Sequence, residues 1–453
     1  MIIDERIIAN GITVEILAKL IRKHEMNAGK FRKYYDYYIG KHDILNHTKD
    51  TRGAANNRVV CNHAKYIVDI ARAYLVGNPV KYEVSKGYDI EKIKDAYLEQ
   101  NIEHIDGELV KNVGIYGRAY ELVYATPASE PRSAFIEPTK AFVVYNDDCT
   151  HFPLFGVYYY RTFNLDGAVS GCVCNVYTEN EIFTYENDTD AWEGMRLTYQ
   201  AGHYFGDVPL IEYRNNEERQ GDCEQLIPLI DAYNKLQSER VNDKEDFVNS
   251  FLFLKDLLLD SEDVRKLKRE RILMGDKDSD AKYLNKIMAE SDIKTLRDDL
   301  KSDIHRFSTV PDLTDEKFAG MQSGIAIRYK LLGFGQTTKN KEEMTSAGLK
   351  KRFKLYNHYL SILGGMKNVP LHRVDVIFTY NLPVNNLENA QMLNYLGDDV
   401  SLETKLSQLD FISDPKEEAA LVRAERAAEY EERIKRVEGI AGGGGYGRDF
   451  NKY

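Results

Sequence analysis

The hydrophobic period of this chain switches at Glu224, and a chain that switches period must segregate sheet from helix. Residues 134–215 alternate: "AFVVYND", "FGVYYYR", "CVCNVYT", "EIFTYE" and "MRLTYQ" are separated by turn signals such as "NLDG" and "ENDTDA". Alternation sends successive side chains to opposite faces of a strand, so a β-rich lobe is predicted. From Glu224 the spacing becomes helical. "EQLIPLIDAYNKLQSERVNDKEDFVNSF" brings Leu226, Leu229, Ile230, Tyr233, Leu236 and Phe247 near one stripe. Asp231, Glu239, Asp243, Glu245 and Asp246 are expected on the opposite face. Pro228 falls in the first turn, where a missing N–H loses no intrahelical partner.

Helical patterns also precede the lobe. Residues 12–38 space Ile16, Leu17, Leu20 and Ile21 at helical intervals. After the polar "NHTKDTRGAANNR", a second helix, "AKYIVDIARAYLVG", stops at Gly77 because Pro79 blocks its continuation. "VKYEV" reads as a strand, residues 89–113 as helical and "GRAYELVYA" as a strand. Downstream, "SFLFLKD" and "AKYLNKI" read as strands around a helix, "SEDVRKLKRERI". "SDIKTLRDDLKSDIHRF" follows with Ser291 as N-cap. "PDLTDEKFAGMQSG" then interrupts the helices with a pliable stretch. A long helix over 323–363 is expected next, with Gly333 and Gly335 as its kink points. "VDVIFTYNLPVN" is a strand, "PKEEAALVRAERAAEYEERIKRVEG" a charged helix, and "AGGGGYGRDFNKY" a tail expected to be mobile. The fold class is therefore α+β, mostly helical, and 453 residues imply two to four subdomains.

Composition narrows the function classes. A net charge of -11 argues against a general basic coat for DNA. No apolar run is long enough to span a membrane, and "MIIDERIIANG" does not read as a secretory signal. Cys61, Cys149, Cys172, Cys174 and Cys223 are too scattered for a disulfide scaffold and suit a reducing compartment. "CVC" alternates within a strand, so Cys172 and Cys174 share a face and are expected as buried thiols. The 31 Tyr and 18 Phe suit either large, partly wet interfaces or ordinary sheet packing.

Catalytic motifs are missing. Gly29-Lys30 and Gly40-Lys41 lack the upstream glycine and the following Ser/Thr of a phosphate loop. Gly442, Gly444 and Gly447 have dinucleotide-loop spacing but follow a charged helix, not a strand. HExxH and GxSxG are absent, and His42 and His47 lack zinc spacing. Asp147-Asp148 and Asp298-Asp299 could hold magnesium, but adjacent acids point apart and read better as solvated faces. A non-enzymatic protein with no metal and no cofactor is expected.

Three ordered segments resemble the phage portal protein family, in the branch typical of long-tailed phages of Gram-positive bacteria. They are "YYIGKHDIL" joined to "NNRVVCNHAKYIVDIARAYLVGNPVKYEV", "VPLIEYRNNEERQGDCEQLIPLIDAYNKLQSERVNDKEDF", and "LPVNNLENAQMLNYLGDDVSLETKLSQLDFISDPKEE". The resemblance implies a homo-oligomeric ring, usually of twelve subunits, at one capsid vertex of the virion, assembled in the bacterial cytoplasm. Double-stranded DNA would enter and leave through its axis. The partners implied are terminase, capsid and scaffolding proteins, then head-completion or adaptor proteins. No membrane is involved. ATP hydrolysis would belong to terminase, in keeping with the missing phosphate loop. The family's subdomains would fall at 1–223 (wing), 224–248 (stem), 249–291 (clip), 292–309 (stem), 310–323 (tunnel loop), 324–381 (helix and strand returning to the wing) and 382–440 (crown), with 441–453 a flexible tail.

On that layout Glu316, Lys317, Phe318, Met321, Gln322 and Ser323 would face DNA, with Gly320, Gly324 and Gly333 as hinges. Asp298, Asp299, Asp303, Asp243 and Asp246 are candidates for an acidic tunnel wall, which would repel phosphate and let DNA slide. Arg265, Lys266, Lys268 and Arg269 would touch a clip partner or DNA, or stand as a solvated helix face. The loop has a rival reading as a passive surface turn. Two rival classes are a head–tail adaptor ring, which is usually much shorter, and a magnesium-dependent nucleic-acid enzyme using Asp298 and Asp299.

Overall fold

The computed structural model describes residues 1–9, 11–49, 55–248, 251–255, 280–284, 290–314, 329, 331–381, 391, 393, 395, 400–407, 409, 412 and 415–442. The chain forms two compact units, one of Met1–Leu313 with Leu331–Asn381, the other of Thr314–Lys330 with Leu382–Tyr453.

In the first unit, α1 (Val14–Tyr38) starts at Thr13, whose hydroxyl accepts the Ile16 N–H at 3.4 Å. α2 (His63–Val76) is capped by Asn62 accepting from the Lys65 N–H at 2.9 Å, and it ends at Gly77 as expected. The helical stretch expected over 89–113 is two helices, α3 (Glu91–Glu99) and α4 (Ile102–Tyr116). The break is at Asn101, whose φ of 53° is left-handed, a conformation Asn tolerates better than most residues. α4 stops at Gly117 with φ 75°, where a Cβ would lie 2.0 Å from the Arg219 carbonyl oxygen.

The β-rich region is two sheets. Strands β1 (Ile2–Ile3), β5 (Ala141–Asn146), β6 (Pro153–Phe163), β7 (Val169–Tyr177), β8 (Glu181–Asn187) and β9 (Arg196–Gly202) form a six-stranded sheet in that order. β1 joins β5 in parallel and the other neighbours are antiparallel. β10 (Leu210–Arg214), β3 (Arg118–Ala125) and β4 (Pro131–Ile136) form a second, antiparallel sheet. β1, β4 and β10 are additions to the strands named from alternation.

β5 explains the layering. Phe142 and Val144 join Leu17, Leu20 and Ile21 of α1 in one core, while Val143 and Tyr145 join Tyr120, Val208 and Leu210 in another. The strand is buried on both faces, as its unbroken apolar run requires. Cys172 and Cys174 are buried thiols in the core under α1, and burial raises both pKa values.

A short strand β2 (Lys81–Val84) pairs antiparallel with β13 (Val374–Ile377). α5 (Ile227–Val248) leads to an antiparallel hairpin of β11 (Phe251–Lys255) and β12 (Asp280–Leu284), then to α6 (Glu290–Ser308). The two strands expected here are present. The helix expected between them lies outside the described residues. Ser291 is inside α6 rather than its N-cap, because the helix already includes Glu290. α7 (Leu332–Ile362) begins at Leu332, so Gly333 and Gly335 occupy its first turn instead of a mid-helix kink.

α7 closes the third core, with Phe353 and Tyr356 against Tyr82, Tyr97, Leu109 and Tyr213. Gly348 permits close approach, since a Cβ there would meet the Tyr213 ring at 2.4 Å. Arg352 is fully buried in this core. Its Nε donates to Glu121 at 2.7 Å and its Nη1 to Asp106 at 2.6 Å. Tyr213 donates its hydroxyl to the other Glu121 oxygen at 2.5 Å. Burial raises the Asp106 pKa, against the pull of Arg352.

In the second unit, α8 (Leu402–Leu406) is capped by the Ser401 hydroxyl, which accepts the Thr404 N–H at 3.2 Å. α9 (Pro415–Gly442) starts with proline, whose fixed φ suits a first helical position, and buries Ala419.

Candidate functional site

The resemblance points to α5, α6 and the segment after α6, so these determine what a conduit could be built on. α5 differs from its expected form. Its buried face continues from Ile230 and Tyr233 into Asn234, Ser238 and Asn242, which are 0%, 3% and 1% exposed. These polar side chains recur every fourth residue and take up alternate amides of the chain before α2. The Cys61 N–H donates to Asn234 Oδ1 at 2.8 Å, the Val59 N–H to Ser238 Oγ at 2.9 Å, and the Asn57 N–H to Asn242 Oδ1 at 2.6 Å.

The spacing is a geometric match. Four helical residues rise about 6 Å and two extended residues span about 6.6 Å. The ladder continues sideways. Asn234 Nδ2 donates to His42 Nδ1 at 2.7 Å, so His42 Nε2 carries the hydrogen that reaches the Tyr37 carbonyl at 2.9 Å. Tyr37 stacks on His42 and donates its hydroxyl to Asp231 at 2.6 Å.

This corrects the reading of α5 as an apolar stripe opposite an open acidic face. Asp231 is taken by Tyr37, Glu239 by Lys49 at 3.0 Å and Glu245 by Asn57 Nδ2 at 2.6 Å. Asp243 is half-buried and engaged, and the Asp246 side chain lies outside the described residues. On α6, Asp298 is exposed and paired with Arg297 at 2.5 Å, Asp299 is exposed and Asp303 is half-buried. Among the described residues, no group of three or more His, Cys, Asp or Glu converges to hold a metal ion.

The residues that flank 314–330 on either side are rooted on α2. At the first end, Tyr66 donates its hydroxyl to the Pro311 carbonyl at 3.3 Å and accepts the Leu313 N–H at 2.9 Å. Lys301 pairs with Asp312 at 2.5 Å, and His305 Nδ1 donates to the Val310 carbonyl at 3.0 Å. Thr309, at φ 60°, makes the turn out of α6 in a conformation costly for a β-branched residue.

Below this end, His63 packs edge-on to Tyr233 and His305, with ring centroids 4.9 and 5.8 Å away. Burial first, then the charges of His305 and Lys301, lower the His63 pKa to about 4. At the second end the ties are aromatic. Phe334 packs on Tyr74 at 4.6 Å, and Tyr74 stacks on Tyr380 at 4.9 Å. The Thr309 and Thr337 hydroxyls, 3.2 Å apart, bring the two ends together.

Glu316, Lys317, Phe318, Gly320, Met321, Gln322, Ser323 and Gly324 lie outside the described residues, as do Arg265, Lys266, Lys268 and Arg269. Sequence reasoning missed Tyr66, Tyr74 and the Asn234–Ser238–Asn242 ladder. The fourfold spacing of the ladder was a usable signal. For the tyrosines, only their abundance hinted at such a role.

The chain matches the family described as phage portal protein, SPP1 Gp6-like, over residues 17–432. It is 25% identical over 441 residues to the portal protein of Bacillus phage SPP1, covering 90% of this chain and 86% of that protein. It is 22% identical over 410 residues to the portal protein of Clostridium phage phiCD119, covering 83% and 87%. A chain from the neck of an empty GTA particle computed with C6 symmetry is similar with a TM-score of 0.43 and 12% identity, over 76% of this chain and 88% of that one. The family match covers nearly the whole chain and spans every element that carries the ladder and the two roots, so this chain belongs to the phage portal protein family.

Proposed function

We propose that this chain is one subunit of a ring of twelve at a single capsid vertex, through which double-stranded DNA is packaged and later ejected. The observation that carries the reading is the family match over residues 17–432. α5, the β11–β12 hairpin and α6 then correspond to stem, clip and stem, residues 1–223 to the wing and 382–440 to the crown. The hairpin end docks terminase first and head-completion proteins afterwards, and Arg265, Lys266, Lys268 and Arg269 serve that contact. Capsid and scaffolding proteins meet the outer subdomains.

Residues 310–323 form the tunnel loop. Its support is the double rooting on α2, which holds both ends of the segment together. Lys317 makes brief contacts with phosphate, Glu316 limits them, and Phe318 and Met321 pack against neighbouring loops. Asp298 and Asp299 on exposed positions of α6, with Asp303, keep the wall acidic, so DNA slides without sticking.

Electron micrographs of the purified protein test the ring, and a compact monomer would sink it. For the loop, Lys317→Ala and deletion of 318–322 are expected to leave rings intact while DNA packaging falls. Normal packaging by intact mutant rings refutes the tunnel role.

A further inference from the structure

A cavity of about 540 Å³ lies between α1, the start of β3, β5 and the 218–224 turn, within the size range of small-molecule sites. Three of the four cationic side chains that line it are Lys23 and Lys30, two turns apart on α1, and Arg118, the first residue of β3. None of the three has a carboxylate at ion-pair distance among the described residues. Arg118 is half-buried, its guanidinium lies 5.4 Å from the centre of the Phe31 ring, and its Nε is buried without an acceptor. Lys23 and Lys30 are exposed, and the buried cations elsewhere differ from Arg118: Arg352 is paired with Asp106 and Glu121, and Lys341 with Asp222.

Partial burial of an unpaired cation is unfavourable, and an arriving anion relieves it. The wall's own carboxylates do not serve this need. Glu224 is turned to Tyr34 and the Gly221 N–H, Glu218 is exposed, and Arg219, the fourth cation, is held by Glu212 at 3.1 Å. Phe31 and Tyr116 meet edge to face in the same wall, 5.9 Å apart.

We propose that this cavity binds a phosphate monoester carrying a planar ring, a ligand the size of a nucleoside monophosphate. A phosphate monoester brings close to two negative charges at neutral pH, which answers three cations better than a single carboxylate does. Arg118 supplies the planar fork for its oxygens, and the aromatic wall takes the ring. The ligand is either a free nucleotide or the 5′-phosphorylated end of a nucleic-acid strand.

Calorimetric titration of the intact protein tests this with AMP, adenosine, inorganic phosphate and a 5′-phosphorylated single-stranded oligonucleotide. AMP is expected to saturate, and adenosine and inorganic phosphate to bind at least about tenfold more weakly, each lacking one half of the recognition. Arg118→Met and Lys30→Gln are each expected to weaken AMP about tenfold, the loss of one charge-assisted contact. Arg118→Met should stay folded, because it breaks no ion pair and loses only the contacts to Phe31 and Tyr120. Tighter binding of the oligonucleotide than of AMP assigns the site to a strand end, and weaker binding assigns it to the free nucleotide. Absence of saturable AMP binding, unchanged affinity in both variants, or unfolding of Arg118→Met overturns the proposal. Ring formation is read separately by microscopy and does not depend on the outcome.

Discussion

The Arg352 centre and the α5 ladder both bury polar groups, and they do so in opposite ways. Arg352 draws together α4, β3 and α7 by formal charge, with the Glu121 and Arg352 side chains wholly buried, and β10 joins through the Tyr213 hydroxyl on Glu121. The ladder uses neutral amides and one hydroxyl, and its partners are backbone N–H groups of a segment without regular structure. A buried charge is strongly directional but severe to orphan. A neutral ladder holds a chain at modest cost per rung. The core of the first unit is thus locked by a few interactions that cannot be given up singly. The segment 57–61 is held by several that can.

The largest break in this comparison is Arg352→Met. It leaves Asp106 and Glu121 buried without a counter-charge and is expected to cost about 3–5 kcal/mol. Denaturant unfolding measures it, and a loss no greater than that of a ladder variant would contradict the contrast. Asn234→Ala comes next. It orphans the Cys61 N–H and the His42 acceptor and is expected to cost about 1–3 kcal/mol, with Ser238→Ala nearer 1. Tyr66→Phe keeps the ring against His305 and removes only the hydroxyl between Pro311 and Leu313. A loss of about 1 kcal/mol or less is expected, read best as faster hydrogen exchange at the Leu313 amide.

Much of the fold was legible because strands and helices announce themselves by period. β5 to β9 fall where alternation places them, and α1, α2 and α9 where helical spacing does. β1 and β4 were missed for different reasons. Two residues carry no period, and Pro131 begins β4 beside turn-rich sequence. Polar burial was misread. Asn and Ser on α5 look like a solvent face until a neighbouring segment supplies amides at matching intervals. Arg352 sits in "LKKRFKLYNH" among other cations, and its carboxylates are more than two hundred residues away, so nothing local marks it as core. The candidate site was named only through resemblance. The small residues and the missing catalytic motifs were visible around 311–324, but the anchors on α2 were not.

The smallest effect is one of pH, beside the ladder's helix rather than within it. His63, beside the loop root, has its pKa lowered to about 4, chiefly by burial, then by His305 and Lys301, with Asp312 opposing. His24 is lowered to about 4 as well, by burial and then by Arg118. A depressed histidine favours the neutral folded form. The unfolded chain takes up its proton near pH 6.5 while the folded chain does not, so stability is present above that value and declines as pH falls towards 4. Glu212 behaves as a carboxylate should when paired. Burial alone would raise it, but Arg219 and Arg214 bring it down to about 2, so its contribution is lost only as pH falls below about 4.5. Between pH 7 and 6 the histidine loss is expected to stay below about 1 kcal/mol per residue, less at half-exposed His63. His63→Phe keeps an aromatic ring for Tyr233 and removes one titration. Its unfolding midpoint should therefore depend less on pH over this window. An unchanged slope would place the acid sensitivity away from the loop root.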